Sequence, residues 1–188
     1  MTGGEGSIVP YQPYGTVVFV VTKTEILDAA LVALRQGELL TLDVVARHVG
    51  LTKPGVVHHF ATKEVLTIAV VERLMDRWEL DLISRVEEGG DSRARLRAYI
   101  DFAFTAEMDP SDLALLSDAR LRGKLNELWV VRLTPWFGES ITADPVALAS
   151  IRAARLLADG AWFDRALGTV DFTETERAAI LAVAQHLI

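Results

Sequence analysis

The sequence predicts an all-α protein. From Thr22 onward, apolar residues recur at the three- and four-residue spacing of a helical face. Residues that cap helices stand before these runs, and glycines stand after several of them. There is no internal repeat, and no stretch offers three credible strands.

The elements follow in order. Ile26, Leu27, Ala30, Leu31 and Leu34 form one face of a first helix, which Gly37 closes. Thr41 caps a second, with Leu42, Val45, Ala46 and Val49 turned inward and Gly50 as a tight turn behind it. Thr52 caps a short third helix, with Pro54 in its first turn, where a missing N–H costs nothing. Thr62 caps a fourth, with Glu64 near its positive end. That helix is expected to run through Leu66, Val70, Leu74 and Trp78 to Glu88, before Gly89-Gly90. Helical segments are then expected over 92–108, 111–118, 121–138 with a break at Pro135, 144–167 and 173–187. Residues 1–21 read differently. They are rich in Gly and Pro, carry one charge, Glu5, and end in the β-prone run Val17 to Val21. They form an arm, either a loose or partly docked extension or a segment that packs on a partner subunit or reaches DNA, the last disfavoured by its one acidic charge.

The chain has 188 residues, 19 basic and 26 acidic, for a formal net charge of −7. This excludes binding nucleic acid by bulk positive charge. There is no cysteine, which removes disulfides, thiol nucleophiles and cysteine metal sites and suits an intracellular, cytoplasmic protein. No apolar run approaches the ~18 residues of a membrane helix. The charge is unevenly spread: residues 22–63 carry +1, residues 64–188 carry −7 and the arm −1.

The stretch from Thr41 to Leu66, TLDVVARHVGLTKPGVVHHFATKEVL, is the most informative. Two short helices flank a Gly-centred turn, and Val45, Ala46, Val49, Leu51 and Val56 supply an apolar seam between them. Ala46 and Gly50 are small where the helices are expected to approach. This is the layout of a helix-turn-helix, whose second helix enters the DNA major groove. Thr52, Lys53 and Gly55 open that second helix with the short or cationic groups suited to base edges and phosphates.

The same residues resemble the tetracycline-repressor (TetR) family of transcriptional regulators. The resemblance rests on Ile26-Leu27-Asp28-Ala29-Ala30, Gly37 with Thr41, Ala46 with Gly50, and the run His59-Phe60-Ala61-Thr62-Lys63-Glu64-Val65-Leu66. It covers residues 23–67. It implies that Thr41 bonds a phosphate, that Thr52, Lys53, Pro54 and Gly55 form the base-reading start of the third helix, and that Lys63 meets a phosphate. The family commonly has Tyr where this chain has Val57, so His58 or His59 is expected to take over that backbone contact, or the site is weaker. The implied organisation is an arm (1–21), a three-helix helix-turn-helix DNA-binding domain (22–67) and a ligand-binding and dimerisation domain (68–188).

All four tryptophans lie in that last part. Each suits plain core; as a set they suit an apolar pocket between helices. The resemblance implies an inducer pocket there, with Trp78, Phe102, Trp129 and Trp162 as wall candidates. Trp136 and Phe137, beside Pro135, are placed at one end of the core. The apolar stripes of the last two helices, with Ile151, Ala154, Ala158, Ile180, Leu181, Ala184 and Leu187, are expected to form a dimer interface, the alternative being that they close the chain's own core. Arg155 and Asp159, at i and i+4, can pair.

The expected function is a ligand-responsive regulator, most simply a repressor released from operator DNA by a small apolar or aromatic molecule. Its partners would be double-stranded operator DNA, the inducer and a second copy of itself, with no membrane, cofactor or metal. An alternative is a helix-turn-helix protein that has lost DNA binding and acts through protein contacts. An enzyme is not expected: there is no Ser/His/Asp set at credible spacing, no phosphate-binding glycine loop and no H-E-x-x-H. His58 and His59, adjacent on a helix, point apart and lack a third ligand at metal spacing. His48 and His186 read as isolated.

Overall fold

The computed structural model describes residues 21–109, 112, 122–169 and 171–188. Among these residues the chain forms only helices: α1 (Lys23–Arg35), α2 (Leu42–Val49), α3 (Lys53–His59), α4 (Lys63–Ser84), α5 (Ser92–Thr105), α6 (Arg122–Leu133), α7 (Pro145–Leu167) and α8 (Glu174–His186). A 3₁₀ turn, Thr134–Trp136, follows α6. The expected arm, apart from Val21, and most of the 111–118 segment lie outside the described residues.

Local chemistry sets the helix starts. Thr22 and Glu25 form a reciprocal cap on α1: the Glu25 N–H donates to Thr22 Oγ1 (3.2 Å) and the Thr22 N–H to the Glu25 carboxylate (2.7 Å). Thr41, Thr52 and Thr62 each accept the amide three residues on, at 3.1, 3.3 and 3.1 Å. Asp91 and Asp144 do the same for α5 and α7.

Helix ends depart from the periodicity where long-range contacts intervene. α4 stops at Ser84 rather than Glu88. There the Ser84 hydroxyl donates to the Asp81 carbonyl (2.6 Å), and Arg85 turns to Asp81 (2.7 Å) and to Asp101 on α5 (2.5 Å). α5 stops at Thr105 rather than 108 because Arg165 of α7 donates to the Ala103 carbonyl (2.8 Å) and to that of Ala106, capping its carboxyl end. Pro135 breaks α6 into the 3₁₀ turn, as expected.

One continuous core runs from a head to a body by way of one helix. In the head, Ile26, Ala30, Leu31 and Leu34 of α1 bury against Val45 and Ala46 of α2, Val56 of α3 and Phe60. In the body, α5 is the central helix and packs on α4, α7 and α8. α4 belongs to both. Its buried stripe Leu66, Val70, Leu74, Trp78, Leu82 runs at four-residue steps along nearly its whole length. Position 67, the expected domain boundary, therefore falls inside a continuous helix. Arg73 of α4 grips Asp28 of α1 with two hydrogen bonds, at 2.9 and 3.1 Å. Arg35, at the end of α1, donates to Asp109 beyond α5 (2.5 Å).

The interface expectation needs correction. Ile151, Ala154, Ala158 and Ala184 are 3, 0, 0 and 0 % exposed within the single chain. The small Ala154 and Ala158 side chains let α5 approach α7 closely, and all four residues are spent on the chain's own core. Ile180, Leu181 and Leu187 are half-buried against that core. The exposed large apolar residues of α7 and α8 are others: Val146, Leu156, Leu157, Phe163, Leu167 and Val183.

Leu66 is fully buried where the head meets α4. Leu66→Ala is expected to cost roughly 2–5 kcal/mol and Leu66→Met under about 1.5 kcal/mol, read from urea midpoints.

Candidate nucleic-acid interface and ligand cavity

The amino end of α3 is presented outward. Thr52, Lys53 and Pro54 are exposed, while Val56, one turn on, is fully buried in the head core. That single anchor fixes which side of the short helix faces solvent. Gly55 is half-buried; an added Cβ would make ordinary contacts of 3.5 Å with Leu51 and Thr52. Packing therefore does not demand glycine there. Gly50 is different: it caps α2 at φ +72°, in the left-handed region, and nothing lies near an added Cβ. The sequence suggested that Gly50 is small to let helices approach. The structure shows that it is needed for its backbone angle instead.

The other expected contacts lie at the start of α2, in the last turn of α3 and at the start of α4. Thr41 is half-buried, with its hydroxyl engaged as the α2 cap. His58 is exposed and His59 half-buried, their rings edge-to-face at 5.5 Å. Val57 stands partly exposed on α3 and offers no polar group. Lys63 is exposed at the first turn of α4. Lys53 pairs with Asp43 of α2 at 2.9 Å. Both side chains are solvent-exposed, so the pair is worth about 0–1 kcal/mol and readily exchanges for a phosphate.

One cluster escaped the sequence. His48 is not isolated: its Nε2 lies 2.5 Å from Glu38, which also holds Arg47. These partners span the turn between α1 and α2, a separation that no helical spacing reveals. The His48 hydrogen bond, then the Arg47 and His48 charges, hold the Glu38 carboxyl below its usual range, although burial works against them. Among the described residues, no group of three His, Cys, Asp or Glu side chains is placed to hold a metal.

A second site lies in the body. Trp78 of α4 meets Phe102 of α5, Trp129 of α6 and Trp162 of α7 at ring-centroid distances of 5.7, 4.9 and 5.4 Å. These four side chains, the expected wall candidates, border a cavity of about 330 Å³. Tyr99, Leu125, Asn126, Val130, Phe137, Arg155, Asp159 and Phe163 complete it. Phe137 is thus a cavity wall as well as core, edge-on to Tyr99 at 5.1 Å. Its polar end is built by three residues. The Tyr99 hydroxyl donates to Asp159 (2.7 Å), Arg155 Nε lies 3.3 Å from the same carboxylate, and the Arg155 guanidinium stacks 3.9 Å from the Phe137 centroid. Burial, then the Asp159 charge, pushes the Tyr99 hydroxyl far above its ordinary pKa, so it stays a donor. The i, i+4 spacing revealed the Arg155–Asp159 pair. It carried no signal that the pair would face Tyr99 or a cavity.

Behind Trp78 sits a smaller pocket bordered by Arg77, Asp109 and Asp112. Asp112 is buried, and one of its carboxylate oxygens has no hydrogen-bond partner among the described residues. Burial pushes its pKa up to about 6, helped by the Asp109 charge and opposed by the Asp109 N–H, the Trp78 side chain and Arg77.

Comparison with known proteins bears on the family and the fold. The family model for the tetracyclin repressor-like C-terminal domain matches residues 93–188, just over half the chain. Among solved structures, a TetR-family transcriptional regulator from Rhodococcus sp. is similar at 18% identity and a TM-score of 0.66. That similarity covers 87% of this chain and 96% of that one, so it takes in the head as well as the body. No curated protein matches.

A raised carboxyl pKa means that folding favours protonated Asp112. Its contribution is present below the ordinary aspartate pKa of 3.8 and is lost as pH rises through about 6. Asp112→Asn is therefore expected to raise Tm at pH 7 by a few degrees. It should also flatten the part of the Tm profile lying between pH 4 and 7, as read by calorimetry.

Proposed function

The chain belongs to the tetracycline-repressor family, and we propose that it is a cytoplasmic, ligand-responsive repressor that binds operator DNA as a homodimer. The observation that carries this is the course of α4. Its first turn holds Lys63, just after α3 in the chain, and its sixteenth residue, Trp78, borders the aromatic cavity. At 1.5 Å per residue these points are about 22 Å apart along one rod. An occupant that shifts Trp78 would re-aim the DNA-facing end.

In this reading Thr52, Lys53, Pro54 and Gly55 approach base edges, while Thr41, His58, His59 and Lys63 meet the backbone. Trp78, Phe102, Trp129 and Trp162 hold the inducer. The head (22–67) and body (68–188) act as functional units, although α4 joins them without a break. The dimer forms through the exposed side of α7 and α8, with Leu156, Leu157 and Val183 central and Ile180, Leu181 and Leu187 at its edge. An apolar surface of this kind on a single chain calls for cover. Two heads would then read half-sites about 34–36 Å apart, or a multiple of that.

The decisive test is a mobility-shift titration with DNA from upstream of the protein's own gene. Binding is expected, with Lys53→Ala and Lys63→Ala each weakening it and flattening the salt dependence by about one unit of slope. Unaltered affinity and slope in both variants would displace the interface from this end of α3. No shift at all would favour a helix-turn-helix protein acting through protein contacts, the reading that Val57 supports. In analytical ultracentrifugation, Leu156→Glu/Leu157→Glu is expected to convert a dimer to the 20.6 kDa species. A wild type already monomeric at micromolar concentration would remove the dimer.

A further inference from the structure

We propose that the ligand of the body cavity is an aromatic carboxylate, its rings among the indoles of Trp78, Trp129 and Trp162 and its carboxylate on Arg155. The inference rests on reading the cavity as the inducer site and adds the chemical class.

The cavity has an apolar end and a polar end. Its 330 Å³ is near the lower limit of small-molecule pockets, about 300–1,000 Å³, which suits one or two fused rings over a longer or branched molecule. Three indoles in mutual edge-to-face contact offer flat walls to a planar ring system. The polar end decides the rest. Asp159 is supplied on both sides: Tyr99 donates to one oxygen, and Arg155 lies against the other. A cationic ligand would find that carboxylate engaged and the guanidinium beside it.

Arg155 is the group left wanting. Its Nε is buried, and no acceptor among the described residues meets it in hydrogen-bonding geometry; Asp159 lies within ion-pair distance but off line. Stacking on Phe137 holds the guanidinium plane in place without using its N–H groups. A guanidinium presents a planar fork of donors that matches a carboxylate. The side-chain amide of Asn126, on the same cavity wall, can supply another donor.

The test uses three probes of one shape on the full chain by isothermal titration calorimetry: 2-naphthoate, 2-methylnaphthalene and 2-naphthylmethylammonium. The naphthoate is expected to bind at least about tenfold tighter than either of the others, as befits a charge-assisted pair. Arg155→Gln should bring naphthoate down to the level of the hydrocarbon and leave the hydrocarbon within about twofold, and Arg155→Lys should recover part of the difference. Asp159→Asn should tighten naphthoate, because the competing charge is gone while Tyr99 keeps an acceptor. A purely structural role for these residues would weaken every probe alike. The inference is overturned if the ammonium binds best, if the three bind equally, or if Arg155→Gln weakens hydrocarbon and carboxylate together. Those results leave the cavity a ligand site of another class, whereas no heat from any probe overturns the cavity reading itself.

Discussion

The continuity of α4 is the constraint on which the other features depend. Its buried stripe contributes Leu66 and Val70 near the head and Trp78 and Leu82 to the body, so one continuous core runs along the same rod. Residues that face one side at four-residue spacing cannot be rotated independently in an unbroken helix. The Arg73–Asp28 pair fixes α1 to this rod, and Arg35 ties the far end of α1 to Asp109 below the aromatic cavity. The head is thus held to the body at separated points. A change at Trp78 has a mechanical route to α3.

Trp78 stands where several demands meet. One side touches Phe102, Trp129 and Trp162, and the pocket behind it is bordered by Asp109 and Asp112. A buried carboxyl beside that indole, kept from its charged form by burial, is a destabilising element at neutral pH. Its cost falls where the cavity, α4 and the Arg35 tie come together, which is where a two-state element would need to be soft. The acidic body and near-neutral head divide the electrostatics in the same sense. In the proposed repressor, DNA affinity would rest on a few placed groups, with the acidic body repelling the duplex in other orientations.

Much of this was legible from residues near one another in sequence. Thr41, Thr52 and Thr62 announced three helix starts because an N-cap is a contact spanning three residues. The pattern from Ala46 to Leu66 identified the head because spacing and residue type agree along a continuous stretch. Signals faded where partners lie far apart. The ends of α4 and α5 were overestimated because Arg85 and Arg165 reach across to other helices and terminate them. His48 seemed alone because Glu38 lies across a turn.

By itself the sequence determined the helical class, the helix starts, the helix-turn-helix with its outward-facing amino end, and a body rich in tryptophan. These follow from local hydrogen bonding and from a period of 3.6 residues, both written in short stretches of chain. Only the tertiary structure decided what each apolar face meets. Ala154, Ala158 and Ala184 turned out to serve the chain's own core, leaving Leu156, Leu157 and Val183 outside. It also brought Tyr99 to Asp159 across 60 positions, making the polar end of the cavity. Periodicity records that a face is covered but not by what, and a contact between distant positions exists only once the intervening chain has folded back.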